Sequence, residues 1–292
     1  MVRKKYQMLG MNCLNDRCGL VFDIDGVLVN NEKINPALSL IKYADKSKWL
    51  ISICSGRGKN RTLNVTQNII DNEEAIFCIN GGASFMLGEK IICENVMNKK
   101  EIHKAVESLK SIIDANIFFV NVCIAGKEGY VYYSDSENNL ELINESKYEA
   151  MQIFNKFDEF AKFIIEESIV KVTVKFKGII STAIERNLES AGFICGDSKA
   201  QCYYCISNSL NKNTAINFLV HRYNLKKVYF FGNDKNDIPI FKNSSSKIIK
   251  IYVIDGEIDE ILYKIADERI MYGEMYYFIR NIMEIKDEDI IM

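Results

Sequence analysis

Two patterns of hydrophobic and polar positions share this chain. Short apolar runs at Gly19–Phe22, Trp49–Cys54, Ala75–Ile79, Gln201–Ile206, Val228–Phe231 and Ile248–Ile254 each stop abruptly at polar residues. Runs of that length predict strands buried on both faces, as in a parallel sheet. Amphipathic stretches over 34–44, 59–71, Asn213–Val220 and Glu257–Asp267 predict the helices around it. From about 83 to 194 the pattern changes. Strand pairs are predicted at Ala83–Leu87 with Lys90–Glu94 and at Ile117–Ala125 with Tyr130–Ser134, and a further strand at Ile169–Lys175. Helices are predicted over 99–114, 147–160 and 179–191. Hairpins mixed with helices predict an α+β layer unlike the alternating core.

The expected fold class is therefore α/β, with a parallel-sheet core made of residues 1–82 and 195–292 and an inserted α+β domain at 83–194. A chain of 292 residues is long enough for two such domains. The glycine pair Gly81-Gly82 lies at the crossing and predicts a hinge.

The polar residues at the strand ends carry the chemistry. Asp23 and Asp25 follow the first apolar run, one residue apart, and Gly26 lets the backbone turn at once. Ligands of open α/β sheets bind at the carboxyl ends of strands. Two carboxylates so close on a buried strand are costly without a cation. A plain solvated acidic turn is the alternative, and the other strand ends weigh against it. Ser55-Gly56-Arg57 follows the second run, Lys212 heads a helix, and Gly232-Asn233-Asp234-Lys235-Asn236-Asp237 follows Val228–Phe231. A hydroxyl and an ammonium suit phosphoryl oxygens, and carboxylates suit a hard divalent cation.

These four segments, in order over about residues 19–240, resemble the four motifs of the haloacid dehalogenase (HAD) superfamily, and within it the Cof-type, class IIB phosphatases. The long gap between the second and third motifs matches the place where that family inserts its class II cap. The resemblance implies a Rossmann-like core, Mg2+ as cofactor and a small phosphorylated metabolite as substrate, of the sugar phosphate, pyridoxal phosphate or flavin mononucleotide class. It implies Asp23 as the nucleophile that forms an aspartyl-phosphate, and Asp25 as general acid and then base. Ser55 and Lys212 are the implied phosphoryl contacts. Gly56, Arg57, Asn80, Gly81 and Asn236 are the implied substrate-binding positions. Asp23, the Asp25 backbone carbonyl, Asn233, Asp234 and Asp237 are the implied metal-binding set.

Two positions depart from the family pattern. Val27 stands where Thr is usual, and Asn233 stands where the fourth motif usually carries Asp. An amide oxygen can ligate magnesium but brings no charge. Two other readings stay open at this stage: a sugar phosphomutase, and a non-catalytic protein that binds a phosphate ligand.

Composition narrows the setting. A formal net charge of −2 gives no electrostatic case for nucleic acid or an anionic membrane. No apolar run reaches the ~18 residues of a membrane span. Nine cysteines, an odd count scattered mostly through apolar strands, predict reduced thiols in a cytoplasmic protein, as a monomer or homodimer. Cys202 and Cys205 have metal-like spacing but point to opposite faces of a strand. His103 and His221 lie away from every motif, so proton transfer rests on a carboxylate.

Overall fold

The computed structural model describes residues 17–30, 33–66, 76–134 and 150–286. Its strands run in chain order from β1 (Cys18–Phe22) through β2 (Val29–Asn30), β3 (Lys33–Ile34), β4 (Trp49–Ile53) and β5 (Ile76–Ile79). Next come β6 (Ser84–Leu87), β7 (Lys90–Glu94), β8 (Ile117–Ile124), β9 (Tyr130–Tyr133), β10 (Ala150–Phe154) and β11 (Ile169–Phe176). The last are β12 (Ile194–Asp197), β13 (Cys202–Cys205), β14 (Lys227–Gly232), β15 (Ile248–Ile254) and β16 (Glu268–Met271).

The buried apolar runs form a five-stranded parallel sheet in the order β16-β15-β14-β1-β4. Leu20, Val21, Phe22, Phe230, Phe231 and Ile251 are wholly buried there, which is why their runs show no alternation. Phe22 stacks on Phe231 at 4.8 Å between ring centroids. That contact sets the ends of β1 and β14 side by side, in register Phe22 to Phe231.

A second, six-stranded sheet has the order β10-β9-β8-β11-β13-β12. One face packs Val120, Val122, Val131, Val172 and Val174, with Tyr203 and Cys205, into a separate hydrophobic core. Helices Lys99–Ser111, Phe157–Glu166 and Thr182–Ser190 pack their apolar residues into the same core. The strands of β6 to β12 add nothing to the parallel sheet. This is the α/β core with a separate mixed sheet that the sequence predicts.

Several elements differ from expectation. The run Gln201–Ile206, read as a core strand, supplies β13, which pairs antiparallel with β11 (Val172 with Cys205, Lys175 with Cys202). A four-residue strand cannot be assigned to one sheet by periodicity alone. The division drawn at 195 thus falls inside the second sheet, whose last two strands extend to Cys205. The run at 75–79 supplies β5, which pairs antiparallel with β6 and meets the β4 segment through an isolated Cys54–Cys78 bridge and a hydrogen bond from Ser52 to the Ile76 carbonyl at 2.6 Å. The helix expected over 147–160 begins outside the described residues. Within them, Ala150–Phe154 is a strand and the helix is Phe157–Glu166. The buried residues Phe157, Phe160, Ala161 and Ile164 carry the helical spacing, and they start only after Asn155. The helix expected over 34–44 is confined to Leu38–Ile41, and that over 59–71 is described to Thr66. β16 and the helix Met275–Met283 were not expected. Among the described residues, no helix is long and apolar enough to cross a membrane.

The helix Lys212–Arg222 starts at a capping box, in which Asn211 accepts from the Thr214 amide and Thr214 accepts from the Asn211 amide. Its start is pressed against the Gly81-Gly82 crossing. Gly82 has φ +98°, and a Cβ there would lie 2.6 Å from the Asn211 carbonyl oxygen. Gly82→Ala should therefore destabilise the protein by about 1–3 kcal/mol in urea unfolding, through a disfavoured backbone and a clash that no side chain can relieve. Gly178→Ala, where a Cβ meets open space, should change it by less than about 0.5 kcal/mol. Equal effects at the two glycines would contradict this packing.

Candidate active site

The parallel sheet brings the ends of β1, β4 and β14 together, with the start of helix Lys212–Arg222 beneath them. Asp23 continues β1, its amide donating to the Phe231 carbonyl at 2.9 Å. Lys212 is wholly buried, and its ammonium donates to Asp23 Oδ2 at 2.6 Å, Asn236 Oδ1 at 2.9 Å and Asp237 Oδ1 at 2.8 Å. All three ammonium protons are used. The other oxygen of Asp23 accepts the Ile24 amide at 2.7 Å. The other oxygen of Asp237 accepts the Asn233 amide at 2.9 Å and the Asp234 amide at 3.3 Å.

Charge is unbalanced in this knot, with two carboxylates against one ammonium. Burial raises the Asp23 carboxyl most. Lys212 pulls it down, the charges of Asp237 and Asp25 push it up again, and the net is about 7 against an ordinary 3.8. Burial alone lowers Lys212, but Asp23 and Asp237 outweigh it and hold the ammonium well above its ordinary value.

Asp25 lies higher and is partly exposed. Arg57 grips it with two hydrogen bonds, Nε to Oδ2 at 3.0 Å and Nη2 to Oδ1 at 2.6 Å. Ser55 is wholly buried, and its Oγ accepts the Arg57 amide at 3.2 Å. Gly56 lines the cleft, and its carbonyl accepts from Lys171 of β11 at 2.8 Å. Gly81, at φ +71°, packs so closely under the Tyr204 ring that a Cβ would lie 2.5 Å from it. Asn236 lines the cleft and ties Lys212 to the second sheet by donating to the Gly196 carbonyl at 2.9 Å. Asn80 is tied to this strand end by its backbone amide, which donates to the Arg57 carbonyl at 2.8 Å, while its side chain is absent from the cleft lining. The side-chain nitrogen donates to Ser84 Oγ at 3.1 Å, and the side chain borders a small separate cavity.

The fourth motif divides in two directions. Asp234 turns to the second sheet's loop, accepting the Ser198 amide at 3.1 Å. Asn233 stays at the end of β14, and its Oδ1 is buried with no hydrogen-bond partner. Gly26 leaves the space it needs, since a Cβ there would lie 1.8 Å from the Asn233 amide nitrogen and 2.9 Å from Asp255 Oδ2. Asp255 is itself paired to Lys199 at 2.6 Å. Among the described residues, no group of three or more His, Cys, Asp or Glu is arranged to hold a metal. Oxygens that suit a hard cation by their chemistry are present: the Asp23 carboxylate lines the cleft, and the orphaned Asn233 carbonyl is buried at the end of the neighbouring strand. A buried acceptor without a donor is costly, and a cation relieves it.

Above the carboxylates is a cleft of about 310 Å³, roofed by the second sheet. Asp23, Asp25, Gly56, Arg57 and Asn236 form its floor, while Lys171, Thr173, Lys175, Asn121 and Tyr204 form its roof. Sequence reading did not single out those roof residues. The signal was the alternation Val170-Lys-Val-Thr-Val-Lys175, which puts three polar side chains on one face of β11.

The buried knot makes a pH-dependent prediction. Because the Asp23 carboxyl is raised on folding, its contribution is present below 3.8 and lost as pH rises through about 7. In chelator, the melting-temperature margin of Asp23→Asn relative to the wild type should therefore shift in the variant's favour across that range and level off above it. Thermal melts of both proteins across the range check this. A margin that moves against the variant as pH rises contradicts the assignment.

The sequence profile of the haloacid dehalogenase-like hydrolases matches residues 20–249. No curated protein matches the chain in sequence. Among solved structures, the HAD subclass IIB sugar phosphatase BT4131 is 17% identical, over 91% of this chain and 98% of that one, at a TM-score of 0.67. SMU.1108c from Streptococcus mutans is 14% identical, over 91% and 99%, at 0.71. TM0651 from Thermotoga maritima is 18% identical, over 91% and 97%, at 0.63. At such identities the likeness establishes the fold, core and roofing sheet together. With all four motif segments inside the matched span, this chain belongs to the haloacid dehalogenase-like hydrolases.

Proposed function

We propose that this hydrolase is a magnesium-dependent phosphomonoesterase acting on a small phosphometabolite through a phosphorylated Asp23. The observation that carries the reading is the Asp23–Lys212 contact at the floor of a roofed cleft. Phosphoryl transfer needs positioning and charge neutralisation more than covalent machinery, and those are what this floor can supply. Core and cap are read as 17–82 with 207–286, and 83–206, the second boundary placed after β13.

In this reading Asp23 attacks phosphorus with one oxygen while Lys212 holds the other and neutralises charge on the phosphoryl group. The Ile24 amide and the lysine fix the carboxylate's orientation, so little reorganisation is needed. Arg57 releases Asp25 as it takes up the incoming phosphoryl oxygens; the freed carboxylate takes a proton from solvent in the cleft and passes it to the leaving oxygen as the P–O bond breaks. The same carboxylate then takes a proton from the water that hydrolyses the aspartyl-phosphate. Ser55, buried behind Arg57, positions that arginine's backbone and has a hydroxyl proton to offer the phosphoryl group. Asp237 holds Lys212 and the two amides of the fourth motif, so its part is support for the loop. Asp23, the Asp25 backbone carbonyl and Asn233 would hold the magnesium, with Asp234 as the nearby acid. When bound, the ion shields the phosphoryl charge from the attacking carboxylate.

The non-catalytic alternative draws support from Asn233 alone, a neutral donor where relatives carry a charge. Two experiments separate the readings. Hydrolysis of p-nitrophenyl phosphate and a panel of phosphometabolites should require magnesium, and Asp23→Asn should retain less than about a hundredth of wild-type activity. Asn233→Asp should lower the magnesium concentration for half-maximal activity, by adding a charged oxygen. Metabolite binding without turnover would favour the non-catalytic reading. An unchanged magnesium requirement in Asn233→Asp would remove Asn233 from the ion's donors.

A further inference from the structure

One buried charge of the roof is tied to the floor. Lys171 lies in β11, the strand between β8 and β13, and is 7% exposed. Val170 and Val172 on either side of it are wholly buried. Burying an ammonium is costly, so packing alone favours a third apolar residue at this position. The ammonium instead reaches out of its own sheet and donates to the Gly56 carbonyl at 2.8 Å. It also lies 5.5 Å from the Tyr204 ring centroid, within cation–π range. Tyr204 rests in turn on the floor, since a Cβ at Gly81 would lie 2.5 Å from its ring and one at Gly56 3.7 Å.

Three consecutive carbonyls after β4 each have a donor. Ser55 accepts from the Gly81 amide at 2.9 Å and Arg57 from the Asn80 amide at 2.8 Å, and both donors follow β5. Gly56, between them, accepts from Lys171 of the second sheet. β9 meets the same loop further on, where a Cβ at Gly58 would lie 1.8 Å from the Tyr130 hydroxyl. The Gly56–Arg57 peptide is one planar unit, and its other end, the Arg57 amide, donates to Ser55 Oγ at 3.2 Å. Holding the oxygen therefore holds the N–H as well. With that plane fixed, the Ser55 hydroxyl and the root of the Arg57 side chain are fixed too, and Arg57 grips Asp25 through two hydrogen bonds.

Resting on the phosphomonoesterase reading, we infer that Lys171 is a positioning residue for that reaction. From the seated second sheet it sets the Gly56–Arg57 peptide, so that Ser55 and Arg57 are in place for the phosphoryl group. Asp23 and Lys212 are bound to each other within the core and stay aligned when the roof lifts. The Gly56 carbonyl then loses its donor. A phosphate ester on the uncovered floor meets a nucleophile in place and a loop that is not, and turnover waits for the roof. The second sheet thereby takes part in assembling the site as well as in closing it.

Lys171→Met keeps the apolar stem and removes the donor, while Lys171→Arg keeps a charged donor. Hydrogen exchange of the Arg57 amide, followed by NMR in protein carrying isotope-labelled arginine, reads the peptide without turnover. Steady-state hydrolysis of p-nitrophenyl phosphate reads the reaction. In Lys171→Met the amide should exchange at least about tenfold faster. Its kcat should fall by about 10- to 100-fold, with KM within about threefold of wild type. Lys171→Arg should recover most of both. An Arg57 amide that exchanges at the wild-type rate in Lys171→Met, or an unchanged kcat, overturns the inference. So does a loss carried by KM together with weaker binding of inorganic phosphate, which would put the ammonium on the phosphate itself. If Lys171→Met does not fold, Lys171→Gln, with its shorter reach, takes its place under the same readouts. Absence of p-nitrophenyl phosphate hydrolysis by the wild type would overturn the hydrolase reading instead, with the exchange rate still deciding whether Lys171 sets the peptide.

Discussion

The requirement that organises the core is that a fully buried ammonium have three acceptors. Lys212 meets it with oxygens from Asp23, Asn236 and Asp237, which come from the ends of two neighbouring strands. Removing one partner from such a buried pair typically costs about 3–5 kcal/mol, because the other charge is left uncompensated. The β1–β14 register, the Asn211 cap and the close approach at Gly82 can therefore be understood together. Each holds the lysine where its acceptors converge. The arrangement is also strained electrostatically, since two carboxylates share one cation and the excess falls on Asp23.

The same knot connects the floor to the roof. Asn236 accepts from Lys212 and donates to Gly196 on β12, while Lys171 reaches down to the Gly56 carbonyl. Asp234 holds Ser198, and Asp255 holds Lys199, in the loop between β12 and β13. These polar ties join two sheets whose hydrophobic cores are separate. Polar contacts between separately packed cores can open at modest cost, whereas a shared apolar core cannot. That suits a roof that must admit substrate and release product.

Much of this was legible in the sequence, and the reasons are physical. Strands buried on both faces show as continuous apolar runs, so β1, β4, β14 and β15 were visible, and so were the acids and hydroxyl at their ends. The ends of β1, β4 and β14 bring Asp23, Asp25, Ser55, Lys212, Asn236 and Asp237 together, while the side chains of Asp234 and Asn80 turn to other partners. Less legible was anything decided by partner choice. β13 has four residues and could join either sheet; only its pairing with β11 assigns it. Arg57 was expected near substrate, but its grip on Asp25 depends on side-chain reach across two strands. The roof lysines were written in the alternation of β11, yet alternation says only that one face is polar, and a solvated face reads the same as a cleft.

The central claim is that Asp23 becomes covalently phosphorylated. Rapid acid quench of the working enzyme, followed by peptide mass mapping, tests it most directly. One added phosphoryl group on the peptide carrying Asp23, absent in Asp23→Asn, is the predicted result. Phosphate release with the added mass on another residue, or with none on any peptide at any quench time, would contradict the account.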